Sequence, residues 1–385
     1  MIQTHVLAVF GFLIGAWMVL ATLLSAIRTF VLPRAVRTFL TASVFRAGRW
    51  VFEVIATGGV ERRDRIMAMY MPITILGLAG CWLTIVLAGY TLMFWASGYG
   101  TMADSVWVSG SSLLTLGSAR IDGLAPRLLA FTEASIGLGL VALLIAYLPT
   151  VYSAFMRRER MVALLEVRAG SPPSAVAMLI RFHRIGRGDD LDGEWQRWES
   201  WFADIEESHT THSMVVWLRS PRAGRSWVTA AGTVLDAASL VVAAVERPRD
   251  PTAQLCIRAG FVALRQIADG FGISHDADPA PDDPISITRR EFDEACAALD
   301  EAGVPLVADR DQAWRDWAGW RVNYDTVLLR LAELTSAPTA PWVSDRSPVD
   351  HRRTSFKLWL GSLGGRPPDT AASVIDRRRG DPRDG

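Results

Sequence analysis

Three stretches of the chain are apolar and free of Asp, Glu, Lys and Arg. They are residues 6–27 (VLAVFGFLIGAWMVLATLLSAI), 66–103 and 134–156 (ASIGLGLVALLIAYLPTVYSAFM). About 20 apolar residues cross the hydrocarbon of a bilayer, so the pattern predicts three transmembrane helices. After residue 157 the pattern changes to short amphipathic runs. Trp195, Trp198, Trp201, Phe202 and Ile205 recur at helical spacing, which predicts the packed face of a helix. Other helices are marked by their start signals. Ser171-Pro172 opens one that stops near Gly186, and Asp250-Pro251 opens another. Thr288 and Glu291 have capping-box spacing before a helix ending at Gly303, and Asp309 caps a long last helix over 310–334.

Some segments are ambiguous by pattern alone. Residues 227–245 (WVTAAGTVLDAASLVVAAV) approach a fourth span, but Asp236 at the centre would cost about 3 kcal/mol there, which favours a helix buried in a bundle. Residues 34–57 mix Arg with Phe, Trp, Val and Ile, as an interfacial helix under the inner leaflet would, or one packed on the following domain. Residues 277–287 read as an internal linker. Beyond Ser336, Pro, Arg, Asp and Gly predict disorder around one apolar island, FKLWL at 356–360.

Charge adds orientation. The 385-residue chain has zero formal net charge, but residues 1–170 hold 14 Arg against 8 acids and the remainder is slightly acidic. Arg28, Arg34, Arg37, Arg46, Arg49, Arg62, Arg63 and Arg65 separate the first two spans. Arg157, Arg158, Arg160 and Arg168 follow the third, whereas the connection between the second and third has only Arg120 and Arg127. Positive-inside reasoning puts residues 28–65 and everything after 157 in the cytoplasm and the N-terminus outside. With no positive charge ahead of it, the first span reads as an uncleaved anchor. No Arg cluster has the regularity of a nucleic-acid surface. Cys81, Cys256 and Cys296 lack metal or disulfide spacing and read as buried residues in a reducing compartment.

The outside connection is unusual. It runs from 97 to 124, and its segment VWVSGSSLLTL (106–116) is apolar enough to re-enter the membrane. Backbone that is not helical survives at that depth only when surrounded by protein or a water-filled pore. The order of a helix at 67–96, a short helix at 104–114, TLGSA at 115–119 and a helix at 125–156 resembles the pore-loop potassium channels. SGSSLLTLG followed by AYLPTVYSAFMRRE is most similar to the bacterial proteins grouped with two-pore-domain potassium channels, although this chain has a single pore loop. The resemblance covers about residues 66–160. It implies a homotetramer in a bacterial plasma membrane, with membrane lipid around it and monovalent cations such as potassium passing through it.

Carried over to this chain, the resemblance makes Thr115, Leu116, Gly117, Ser118 and Ala119 the selectivity filter and Arg120 and Asp122 the pore mouth. Ser118 stands where the family has Tyr, Ala119 where it has Gly, and Arg120 where an Asp usually follows, so the filter is degenerate. A left-handed Ala119 would cost about 1–2 kcal/mol per subunit. Four Arg120 side chains about 8 Å from a cation would repel it by roughly 0.5 kcal/mol each in water, with Asp122 as a counter-charge. On the inner helix Glu133, Gly137, Gly139 and Pro149 are the candidate gating residues. Close packing for the glycines, contact with the pore helix for Glu133 and a kink at Pro149 are the expected local roles.

The expected architecture is an all-α membrane protein, with three transmembrane helices plus a re-entrant pore loop, followed by a cytoplasmic helical domain. Its parts are an anchor helix (1–32), an interfacial segment (33–65), a channel-like module (66–160), a helical domain (161–335) and a tail (336–385). The helical domain would assemble the tetramer or bind an unidentified cytoplasmic ligand or protein. No catalytic motif, nucleotide loop or cofactor signature is present. Glu206, His209 and His212 have weak metal spacing and read as a solvated helix end. A non-conducting membrane anchor that binds a partner is the other reading of the sequence.

Overall fold

The computed structural model describes residues 2–30, 39–56, 60–188 and 191–346, and these form helices and connections with no β-strand among them. Six helices make up the first part: α1 (Ile2–Phe30), α2 (Phe39–Ile55), α3 (Val60–Ala68), α4 (Tyr70–Ala96), α5 (Met102–Leu113) and α6 (Leu124–Ala169). Three of them, within α1, α4 and α6, are long and apolar enough to cross a membrane. The glycines set the closest helix crossing. Gly15 of α1 lies against the Gly89 carbonyl of α4, where a Cβ would collide with backbone. Small residues at such a crossing let two apolar helices approach to backbone contact.

The amphipathic segment forms α2 over 39–55, while residues 34–38 and 57 lie outside the described residues. The helix packs both on α4 and on the later domain. Gly48 packs against Thr74 of α4, Tyr70 Oη donates to the Phe45 carbonyl at 3.0 Å, and Arg49 lies over the Trp217 ring of the later domain.

α6 is longer than its hydrophobic pattern predicts. It runs through Pro149 and past the arginines at 157–160 to Ala169. At 1.5 Å per residue, α6 is about 69 Å long. Its last turns bury Arg158, Glu159, Val162 and Leu165 against the second part of the chain. One rod therefore links the spanning region to the helical domain.

That domain contains α7 (Ala175–Arg184), α8 (Asp192–Thr211), a 3-10 turn (Ser213–Trp217), α9 (Trp227–Ala243), α10 (Pro251–Gly270), α11 (Arg289–Glu301), α12 (Arg310–Arg321) and α13 (Asp325–Thr335). α9 is its axis. Every residue from Trp227 to Val241 is buried, and α7, α10, α12, α13 and α6 pack around it. Asp236 is accepted there because Arg321 donates to it at 2.5 Å and Tyr324 Oη at 2.9 Å. The tryptophan stripe of α8 is buried as its spacing predicts, and a Cβ on Gly260 of α10 would meet Phe202 of α8.

Several boundaries differ from expectation. α7 begins at Ala175 with Ser174, not Ser171, capping the Ala177 amide. The helix expected over 310–334 is broken at 322–324; Arg321, at the end of α12, pairs with both Asp236 and Asp325. Residues 337–346 are packed and not disordered: Ala340 and Val343 are buried, and the Trp342 carbonyl accepts from Arg321. The apolar island at 356–360 lies outside the described residues. Asp250, Thr288 and Asp309 cap their helices as their spacing predicts. All three cysteines are free, with Cys256 and Cys296 buried.

The α11 cap has a pH dependence. Glu291 accepts from the Thr288 amide and hydroxyl at 2.8 and 2.7 Å and pairs with Arg346. Burial pushes its carboxyl upward, but the Arg346 and Thr288 hydrogen bonds and the Arg346 charge outweigh it and hold the pKa at about 2. The folded value lies below the ordinary 4.5. The cap's contribution is therefore complete above about pH 4.5 and lost as pH falls toward 2. Wild-type thermal stability is expected to drop through that window more steeply than that of Glu291→Gln. Parallel pH profiles would remove this assignment.

Candidate functional site

Residues 97–123 are arranged around α5. Thr101 and Asp104 form a capping box at its start: the Asp104 carboxylate accepts from the Thr101 amide at 2.9 Å, and Thr101 Oγ1 accepts from the Asp104 amide at 3.2 Å. From there α5 passes between α4 and α6 and contacts both. Ser109 Oγ lies 3.0 Å from the Leu87 carbonyl of α4 and 2.5 Å from Glu133 Oε1 of α6. Glu133 is fully buried, so its nearest polar contact is on α5.

The far end of α5 lies against α6. A Cβ built on Gly137 would stand 2.5 Å from the Leu113 carbonyl oxygen and 2.9 Å from a Leu113 methyl. Gly137 lies thirteen residues into α6, about 20 Å along its axis. The chain then returns: Tyr99 Oη donates to the Arg120 carbonyl at 2.5 Å, close to where α6 begins. Gly139 faces open space and Pro149 is exposed on α6.

TLGSA lies in the returning segment. Thr115 has φ 53° and Gly117 φ 64°, and both are exposed. The left-handed positions are therefore Thr115 and Gly117, and Ala119 is not one of them. Ser111, one turn back on α5, sets this shape. Its Oγ accepts from the Ser118 amide at 3.0 Å and the Ala119 amide at 3.2 Å, and lies 3.1 Å from Ser118 Oγ. Leu114 and Leu116 are exposed. Arg120 and Asp122 are exposed as well, and Asp122 lies 4.0 Å from Arg127. Ser111→Ala is expected to cost about 1–3 kcal/mol by leaving two amides without their acceptor. The check is a drop in thermal midpoint together with faster amide exchange at 118 and 119.

A second constellation lies where α6 enters the helical domain. The fully buried Arg158 donates to the Val215 carbonyl at 2.8 Å and the Leu218 carbonyl at 2.6 Å, and pairs with Glu159 at 2.8 Å. Its Nη1 lies 3.3 Å from His209 Nε2. Arg158 has only protons to give, so Nε2 accepts and the imidazole proton sits on Nδ1. Burial, reinforced by the Arg158 charge, holds His209 well below its ordinary pKa and therefore neutral. The expected solvated helix end is thus partly wrong. Glu206 and His212 are half-buried, His209 is fully buried, and His212 packs edge-on to Tyr147. Among the described residues no three His, Cys, Asp or Glu side chains are placed to hold a metal.

Comparison with protein-family models, curated proteins and solved structures finds no match.

Proposed function

We propose that the protein is a pore-loop cation channel, or a descendant of one. In this reading it assembles as a homotetramer in a bacterial plasma membrane with its helical domain in the cytoplasm. One observation carries it: α5 reaches beside Gly137, about 20 Å into the depth of a spanning-length helix, and the chain returns to Arg120 at the same end. A short helix followed by exposed backbone at that depth needs protein or water around it. One loop per chain cannot enclose a pore, so closure requires copies around an axis. Leu114 and Leu116 in the loop and Phe131 and Leu138 on α6 are exposed and available to those neighbours.

In the assembled protein, residues 115–119 line the narrow outer part, with Arg120 and Asp122 at its mouth. Only the backbone at 115 and 117 is left-handed, and filter carbonyls work by aiming jointly at one axis. Permeation through such a loop is expected to discriminate poorly between potassium and sodium. The long rod of α6, clamped at Arg158, carries motion between the helical domain and the spanning region. Liposome flux with Ser118→Tyr/Ala119→Gly tests the site. The double variant is expected to change the potassium-to-sodium ratio or the rate. Identical flux, with the same dependence on ion, would place any pore elsewhere. A non-conducting anchor predicts no cation flux from either protein.

A further inference from the structure

The connection between the 3-10 turn and α9 reads Arg219-Ser-Pro-Arg-Ala-Gly-Arg-Ser226. Arg219, Ser220, Arg225 and Ser226 from this connection line a groove together with Trp217 and Ser336, among others. Among the described residues no carboxylate lines the groove. Ser220 is only 6% exposed, yet its Oγ has no hydrogen-bond partner among the described residues. An unsatisfied buried hydroxyl costs about 1–3 kcal/mol and calls for an explanation. Arg225 Nε is likewise buried without a partner among the described residues, although the same guanidinium pairs with Glu166 through Nη2.

Both unused groups are hydrogen-bond donors. The groove also contains Ser226, the N-cap of the 17-residue α9, and Trp227, its first residue, and the helix N-terminus adds positive potential. Ser226 uses its own oxygen to accept from the Val228 amide, so it caps the helix and leaves the groove to its neighbours. A ligand with several acceptor oxygens and negative charge matches this set of donors.

The groove continues toward the spanning helices. A second groove shares Trp217, Arg219, Thr335 and Ser336 with it and adds Arg49, Arg63 and Tyr70. Glu53 also lines that part, paired to Arg49 at 2.8 Å. Tyr70 is the first residue of α4. The site therefore lies level with one end of a spanning-length helix, where lipid phosphates lie.

We propose that this groove binds a phosphate group, with Ser220, Arg225 and Arg219 as its donors and Arg63 at its rim. The phosphate belongs either to a lipid headgroup or to a soluble phosphorylated molecule. Binding there joins α2 and α4 to the helical domain. The proposal does not depend on conduction: a chain that passes no ions keeps the site, and loss of the site leaves the pore loop untouched.

The test uses the full chain in mild detergent with two probes. Inorganic phosphate is compared with chloride at equal ionic strength through the thermal midpoint. Dioleoyl phosphatidic acid is compared with dioleoyl phosphatidylcholine through retention in native mass spectra. A phosphate-specific rise in midpoint identifies a soluble source, and selective retention of phosphatidic acid identifies a lipid source. In either arm Ser220→Ala is expected to weaken binding about fivefold to tenfold. Without phosphate it should be at least as stable as wild type, because it removes an unsatisfied hydroxyl. Arg219→Gln, measured the same way, covers the case in which Ser220→Ala fails to fold. No response to either probe, or an equal response in wild type and variants, would overturn the site. Phosphate bound equally by the variants is an adventitious ion only.

Discussion

Gly137→Ala is expected to speed amide exchange over the C-terminal half of α5 by about tenfold to a hundredfold. The added methyl would stand 2.5 Å from the Leu113 carbonyl oxygen, which belongs to backbone and cannot rotate away. Overpacking of this kind costs about 1–3 kcal/mol, and α5 is the smaller body, so it moves. Displacing it strains the contact of Ser109 with Glu133 and the Ser111 contacts that shape 118 and 119. Gly139→Ala is the control, because a Cβ there meets nothing within 4 Å. Unchanged exchange in Gly137→Ala would mean that α5 does not seat against α6 at this depth.

The second large effect lies in the helical domain. Arg321→Met is expected to destabilise that domain by about 3–5 kcal/mol, read from denaturant unfolding followed by tryptophan fluorescence. Arg321 is fully buried and donates to Asp236 at 2.5 Å, to Asp325 at 2.7 Å and to the Trp342 carbonyl at 2.6 Å. Burial works against its charge, but the two carboxylates more than offset that and raise its pKa above the ordinary value. Removing the guanidinium strands Asp236 in the centre of an otherwise apolar helix. Arg321→Met/Asp236→Leu should recover part of the loss, because what costs most is the charge left without its partner. If the double variant is less stable than the single by the full cost of Asp236→Leu alone, the two residues do not act as a pair.

The three helices long and apolar enough to span a membrane were legible in the sequence because each contains a long stretch without charge. The helical domain was legible in outline because its caps and tryptophan spacing are local signals. Less legible were features in which a charged residue is buried. Arg158 looked like one of several arginines marking the end of a span, and nothing local separates it from the exposed Arg157 and Arg160. Its burial depends on carbonyls at 215 and 218, far along the chain. The break at 322–324 contains no Gly or Pro, so no local signal marks it. In the loop, the sequence drew attention to Ala119, whereas the left-handed turn falls on Thr115. Ser111 explains the difference: it holds the 118 and 119 amides, and the only hint was a hydroxyl one turn before the end of a short helix.

The central claim is that a single pore loop per chain is completed by neighbouring copies. Native mass spectrometry of the intact protein in nanodiscs counts those copies directly. Four chains per particle, with fourfold symmetry when imaged, is the predicted result. A monomer or dimer as the sole species would contradict the account, because one or two such loops cannot surround a pore.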